Sequence, residues 1–307
     1  MTFQFTPAVR EQVSLLIALA GASGSGKTFS ALRLAQGIAP GGKIAFIDTE
    51  ARRGLHYADR FQFMHLDMRP PFSPARFLEA VQAAEQTGAD VIIIDSFSLE
   101  HEGSGGLIEM AEEEERRGIK SPGNWARPKA EHKKLMKALL QCRATLIFCL
   151  RADEKIEIVR EGGKTQVRPL GWVPICEKRF MYEQTVSFTL RPDAPGRPQY
   201  DLPHKCNEIF QPFFPDQKPI GEDAGRALAD WARGAPAPPR HEQISGEAID
   251  DDLGATADLR AEAGTTAYVH FWKSLTPAEQ RRLLPAHEAR KARAAQVDAE
   301  RAGEIVE

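Results

Sequence analysis

Apolar residues in the first half of the chain fall in short, dense runs, and each run stops at a glycine or an aspartate. Residues 14–20 are almost wholly apolar and lead into Gly21. A run of that length fits a strand buried on both faces, as at the centre of a parallel sheet. Helical spacing follows from Thr28 to Gly37, carried by Phe29, Leu32, Ala35 and Ile38, before Pro40, Gly41 and Gly42 break the chain. Lys43–Ile47 predicts a second buried strand ending at Asp48, residues 61–66 a third, and Val91–Ile94 a fourth ending at Asp95. Between the last two, Ser73 reads as an N-cap and Pro74 as the first helical residue, with the helix running to Thr87 and stopping at Gly88.

The pattern then becomes polar. Residues 100–123 contain Gly103, Gly105, Gly106 and Gly123, and their run Glu112–Glu115 reads as a solvated helix face. A helix from about Trp125 to Gln141 leads to a strand over Ala144–Leu150. Residues 155–159 and 164–168 flank Glu161, Gly162 and Gly163, which suits a hairpin with a tight turn. Residues 181–190 alternate, with Val186, Phe188 and Leu190 on one face. Strand and helix patterns alternating over the first 150 residues predict an α/β fold with a mostly parallel central sheet, followed by strands of antiparallel character.

After Arg233 the composition shifts. Residues 234–240 read as a linker, and the polar stretch to 256 is expected to be disordered. Residues 257–307 predict a small helical appendage. In it, Thr276, Pro277 and Glu279 form a capping-box pattern, and Phe271, Trp272, Leu275, Leu283 and Leu284 close a helical hairpin. The expected organisation is a core over 1–233, a linker over 234–256 and a helical tail over 257–307.

Charge and composition narrow the partners. The 307 residues carry a net charge of −3, so any basic binding surface has to be local. Cys142, Cys149, Cys176 and Cys206 show no short metal-type spacing, which points to reduced thiols in a cytoplasmic setting. No apolar run approaches the roughly 20 residues of a membrane helix, and the N-terminus lacks a signal pattern. A soluble protein without a membrane partner is expected.

The candidate chemistry begins where the first strand ends. Gly21, Ala22, Ser23, Gly24, Ser25, Gly26, Lys27 and Thr28 match the phosphate-binding loop pattern G-x-x-x-x-G-K-[ST] in full. The match follows a buried strand and opens a helix, which is the context that the chemistry needs. Glycines let backbone N–H groups wrap phosphates, and the helix N-terminus adds its positive end. Lys27 is placed to reach the β- and γ-phosphates, the Thr28 hydroxyl to bind Mg2+, and Phe29 follows within the nucleotide-binding segment. Asp95, at the C-terminal end of an apolar strand, reads either as a second element holding Mg2+ or as an ordinary strand-ending aspartate. Glu50 reads either as the base that polarises an attacking water or as one of the many carboxylates that follow strands. Arg151 reads either as a stabiliser of γ-phosphate charge or as a surface arginine in a salt bridge. No guanine-reading N-K-x-D pattern is present, which favours ATP.

Taken in order, the phosphate loop, Asp48-Thr49-Glu50, the strand ending in Asp95-Ser96 and the strand ending in Leu150-Arg151 resemble the RecA-like P-loop ATPase core. The resemblance spans residues 14–200. It is strongest to the short RecA-like ATPases of bacteriophages, sometimes grouped as AAA-type nucleotide-binding proteins, some of which act in single-strand annealing and recombination. The resemblance implies ATP and Mg2+ as cofactors and Glu50 as the catalytic carboxylate, beside Lys27 and Asp95. It also implies a homo-oligomer in a bacterial or phage-infected cell. Lys178 and Arg179 would then be able to reach a neighbour's nucleotide. The chain departs from RecA at Arg151, where RecA carries a glutamine that links γ-phosphate to its DNA loop.

A DNA-binding surface is suggested by Arg116, Arg117, Lys120, Arg127, Lys129, Lys133, Lys134 and Lys137, interrupted by one acid, Glu131, and accompanied by Trp125. Basic residues with an aromatic suit single-stranded DNA through phosphate contacts and base stacking. The same segment also reads as a solvated helix with Trp125 in the core. Two other roles fit the chain: an adaptor that docks a replication or recombination protein through its tail, and an annealing protein that uses ATP structurally.

Overall fold

The apolar runs become strands whose two faces are both covered by helices. The computed structural model describes residues 13–161, 164–216, 218–234 and 246–303. The chain separates into two units, Met1–Pro236 and Ala237–Glu307.

The first unit runs β1 (Leu16–Gly21), α1 (Lys27–Ile38), β2 (Ile44–Asp48), β3 (Met64–Asp67), α2 (Pro74–Gln86), β4 (Val91–Asp95), α3 (Leu99–Glu102), α4 (Leu107–Arg116), α5 (Ala126–Leu139), β5 (Thr145–Glu161), β6 (Lys164–Pro174), β7 (Val186–Leu190) and α6 (Glu222–Ala232). The sheet order is β3-β2-β4-β5-β1-β7, with β6 paired to β5 alone. Every pair along the main path is parallel. β1, β2, β4 and β7 are buried along their whole length, which is why they read as continuous apolar runs.

Alternate residues of each strand feed two cores. On one face Ile17, Leu19, Phe46, Ile93, Ile147 and Phe188 pack against Leu32 of α1 and Leu228 of α6. On the other, Ile92, Ile94, Phe148 and Phe97 meet Phe77 of α2 and Leu135 of α5. Phe97 anchors that side, with ring centroids 4.7 Å from Phe180, 5.1 Å from Phe148 and 5.3 Å from Phe77.

Three expectations are corrected. β7 is parallel to β1, although its position after a hairpin suggested an antiparallel strand. Side-chain alternation has period two in either direction, so the pattern of Val186, Phe188 and Leu190 fixes the faces and leaves the direction open. The acidic run is only partly solvated: Glu114 is buried and pairs with Arg117 at 2.9 Å and Arg127 at 2.8 Å. The strand expected over Ala144–Leu150 is also longer than that. β5 continues past Leu150 to Glu161 and pairs antiparallel with β6, while the expected turn at Gly162 and Gly163 lies outside the described residues.

The second unit holds α7 (Gly246–Glu262), α8 (Thr265–Ser274), α9 (Pro277–Leu283) and α10 (His287–Gly303). Helix α7 occupies part of the stretch expected to be disordered; residues 235–245 lie outside the described residues. Thr276 and Glu279 form the capping box that their spacing predicts. Ala257, Ala261, Tyr268, Leu283 and Ala294 build a small core, with Phe271, Trp272 and Leu275 against it. Leu284, expected inside, is 58% exposed.

Helices α1 and α6 touch at backbone distance. A Cβ on Gly37 would lie 2.1 Å from the Glu222 carbonyl oxygen, and Arg33 forks onto the Glu222 carboxylate at 2.9 and 3.0 Å. Gly37→Ala should therefore push the helices apart, at a cost on the order of 1–3 kcal/mol. A urea midpoint unchanged from wild type would contradict this packing.

Candidate functional site

Period-two alternation decides which strand ends face α1. Asp48 and Asp95 are paired in register across β2 and β4, and Gly21 with Arg151 across β1 and β5. All four follow strand positions of the α1-facing core, so the carboxylates, the arginine and the phosphate loop converge at the C-terminal edge of one face. Such edges are where open α/β sheets bind ligands.

The loop between β1 and α1 is held by its glycines and by a neighbouring turn. Gly26 caps α1 in the left-handed region, at φ 84°. A Cβ there would come 2.8 Å from the Gly196 amide nitrogen, and that amide donates to the Ser25 carbonyl at 2.9 Å. The Lys27 ammonium donates to the carbonyls of Gly21 at 2.9 Å and Ala22 at 2.8 Å. The Thr28 hydroxyl donates to Asp95 Oδ2 at 2.5 Å. Ser25 is fully buried under the loop, and the Phe29 ring packs against Tyr57 and Phe61. Phe29 was expected in the nucleotide-binding segment; its ring packs, partly buried, against the α1-side core.

Asp95 is a buried acid. Burial pushes its carboxyl up to about 6, against the Thr28 hydrogen bond and the Lys27 charge, while Glu50 and Asp48 add repulsion. Glu50 accepts from Arg151 Nε at 2.9 Å and Nη2 at 2.6 Å, and its other oxygen lies 3.5 Å from Arg53. Arg151 also meets Glu102 at 3.3 Å. Burial works against the guanidinium charge, but the Glu50 and Glu102 carboxylates hold its pKa above the ordinary arginine value. Arg151 stands in the salt bridge that one reading gave it, and it does so from the wall of the cleft, where the other reading would have it act.

The cleft encloses about 810 Å3 and is lined by the loop together with Glu50, Asp95 and Arg151. Its volume falls in the range of small-ligand sites. Seven of its wall residues were not among the expected site residues: Arg53, His56 and Tyr57 from a 3-10 turn, and Ala152, Asp153, Glu154 and Trp172 from the base of the hairpin. A cue was available for the first three, since they follow Glu50 directly in an irregular stretch at a strand end. Trp172 is brought in only by the pairing of β6 with β5.

Thr28 and Asp95 offer a hydroxyl and a carboxylate, both hard oxygen donors, side by side under the loop. Mg2+ sites commonly use one or two such protein oxygens and complete their shell with phosphate oxygens and water. The donor set fits that ion.

The expected DNA surface is divided by the structure. Arg117 and Arg127 are taken up by Glu113 and Glu114, and Lys134 pairs with Glu131 at 2.7 Å. Lys129, Lys133 and Lys137 are exposed at four-residue spacing along α5. Trp125 is half-buried in a 3-10 turn before that helix. Lys178 and Arg179 are exposed just beyond β6.

The AAA domain family matches residues 14–172, just over half of the chain. The chain belongs to that family. The match ends at Trp172, so the AAA domain takes in the phosphate loop, Glu50, Asp95, Arg151, all of β5 and β6 up to Trp172. No curated protein matches the chain. A KaiC-like protein from the hyperthermophilic archaeon Pyrococcus horikoshii OT3 is a similar solved structure, with 15% identity and a TM-score of 0.27 over 53% of this chain and 80% of that one. The fold assignment rests on the strand order and the family: a P-loop AAA domain on a mostly parallel sheet, followed by a helical C-terminal unit. Among the described residues, no helix is long and apolar enough to cross a membrane.

The raised Asp95 carboxyl sets the sign of a pH effect. With a folded pKa near 6, above the ordinary carboxylate value, the folded state holds more protons than the unfolded state across that interval. Its contribution to stability is full below the unfolded pKa, about 4, and is lost as pH rises through 6. In nucleotide-free and Mg2+-free protein, Asp95→Asn should raise the melting temperature at pH 7.5, and the gain should shrink towards pH 4. A gain that grows on acidification would contradict a buried, disfavoured carboxylate.

Proposed function

We propose that the chain hydrolyses ATP with Mg2+. The observation that carries this reading is the Thr28–Asp95 contact beneath the phosphate loop, with Glu50 across the same cleft. Backbone N–H groups of Gly21–Thr28 bind the phosphate oxygens, and Lys27 turns from its loop carbonyls to the β- and γ-phosphates. Thr28 and Asp95 would hold Mg2+, which supplies charge neutralisation on those phosphates. Glu50 orients a water and takes its proton as the water oxygen attacks the γ-phosphorus. The bond from that phosphorus to the bridging oxygen breaks, and ADP leaves with the electron pair. Arg151, released in part from Glu50, faces the charge that builds on the transferred group. Tyr57, His56 and Trp172 offer flat surfaces for the base and ribose.

Lys27→Ala should lose both nucleotide affinity and turnover. Glu50→Gln should keep ATP binding and lose about a hundredfold or more in kcat, as expected when a general base is removed. Steady-state hydrolysis with a fluorescent-nucleotide binding assay separates the two. A wild-type rate in Glu50→Gln would move the base elsewhere.

As the load of this ATPase we propose single-stranded DNA, handled by a homo-oligomer in phage-type recombination or annealing. The support is the resemblance of the motif series and the Lys129, Lys133 and Lys137 face of α5. Charge reversal of Lys133 and Lys137 together should weaken DNA binding and flatten its salt dependence by about two units of slope. Unchanged binding, with ATP turnover indifferent to DNA, would favour the second reading. In that reading the chain is a nucleotide-gated adaptor for a replication or recombination protein. Its support is the separate helical unit, which has its own small core and exposes Leu259 and Leu284.

A further inference from the structure

The carboxylate at the end of β2 is not used in the reaction above, yet it is fully buried and has three partners. Asp48 Oδ1 accepts from the Glu50 amide at 2.8 Å. Asp48 Oδ2 accepts from the Gly54 amide at 2.8 Å and lies 3.0 Å from His65 Nε2. The two amides mark the ends of the turn that carries Glu50. Between them Ala51 and Arg52 stand at φ 55° and 69°, in the left-handed region that side chains disfavour. Two consecutive residues without glycine in that region persist only where surrounding contacts over-determine the backbone. The Asp48 carboxylate supplies such contacts, bracketing the strained pair from both sides.

His65 explains how the carboxylate itself stays in place. It stands on β3, paired in register with Phe46, two residues before Asp48 on the neighbouring strand. Its ring lies nearly parallel to that of Phe46, at 16° and 6.3 Å, with Phe63 at 6.4 Å. This aromatic packing fixes the imidazole plane and aims Nε2 at Asp48. With its proton on Nε2, the ring donates the third hydrogen bond to a carboxylate that water does not reach.

We propose that Asp48 and His65 are a positioning pair for Glu50. His65 orients Asp48, and Asp48 holds the strained turn that presents the Glu50 carboxylate to the attacking water. Neither residue lines the cleft, so neither is a catalytic residue. The inference rests on the reading of Glu50 as the base. A displacement of Glu50 by about 1 Å is enough to cost on the order of a hundredfold in rate.

The test uses the full chain and ATP, with His65→Ala, His65→Gln, Asp48→Asn and Glu50→Gln. His65→Ala should lower kcat by about tenfold or more while KM and fluorescent-ATP affinity stay within about twofold. His65→Gln should recover part of that loss, because its side-chain amide can donate to Asp48. Asp48→Asn should lose more than His65→Ala, again in kcat, and it decides the matter if His65→Ala does not fold. A folded His65→Ala with wild-type kcat overturns the pair. So does a loss that appears in KM, or a His65→Gln no better than His65→Ala. A wild-type rate in Glu50→Gln identifies a different failure, that of the base assignment itself.

Discussion

Burying a carboxylate at the end of β4 is the constraint on which the site depends. A charge out of water is costly unless partners meet it. In the protein alone, Asp95 has one hydroxyl at 2.5 Å and the field of Lys27, and these do not bring its pKa down to the ordinary value. The edge of the sheet is therefore built around a surplus of negative charge: Asp48, Glu50, Asp95 and Glu102 gather there. Its cations are Lys27, Arg53 and Arg151. A divalent cation with a polyphosphate matches that arrangement, because the metal answers the carboxylates while the loop amides and Lys27 answer the phosphates. The fold thus pre-arranges charges that would otherwise have to be brought together.

The three carboxylates nearest the loop are separated by their surroundings. Asp95 is buried with a single hydroxyl. Asp48 is buried with two amides and an imidazole, and so works on the backbone. Glu50 is forked onto Arg151 and faces the cleft. Identical chemistry is thus divided into a hydroxyl-bonded group, a structural group and a solvent-facing group by burial and partner alone.

Much of this was legible in the chain, for reasons that particular residues make clear. The phosphate loop is local, eight consecutive residues whose spacing carries its own mechanism. The strands ending in Asp48 and Asp95 are buried on both faces, so they appear as unbroken apolar runs. What was missed is non-local or lies in backbone conformation. Arg151 and Glu50 are 101 residues apart, and only the parallel register brings them together. The left-handed turn at Ala51 and Arg52 uses no glycine, so nothing in the composition announces it. His65 sits in a weak edge strand whose Met64 and Leu66 are exposed, and its partner is set by which strand lies beside β2. The packing of the Phe29 ring on Tyr57 and Phe61 was not legible, because the residues it meets lie 28 and 32 positions further along the chain.

Helix α3 follows Asp95 directly, and its two glutamates point to different neighbours. Glu102 meets Arg151 at the cleft, whereas Glu100 is buried and lies 2.9 Å from His132 of α5. Burial pulls the His132 pKa down, but Glu100 and Glu177 more than offset it and hold it above the ordinary histidine value. His132 also lies 3.9 Å from Glu177, just beyond the end of β6. Two sets of polar contacts therefore meet on the α3 backbone, one from the Glu50–Arg151 fork through Glu102 and one from the lysine-bearing helix and the exit of the hairpin through Glu100. Contact alone carries no coupling; coupling needs an element with two arrangements that both sites bias. A phosphate in the cleft would compete with the loop carbonyls for Lys27 and with both carboxylates for the Arg151 guanidinium, and of these two groups Arg151 is the one that contacts α3. Any mechanical output of the nucleotide site is therefore most economically sought in the position of α3, whose last residue would gain or lose that arginine.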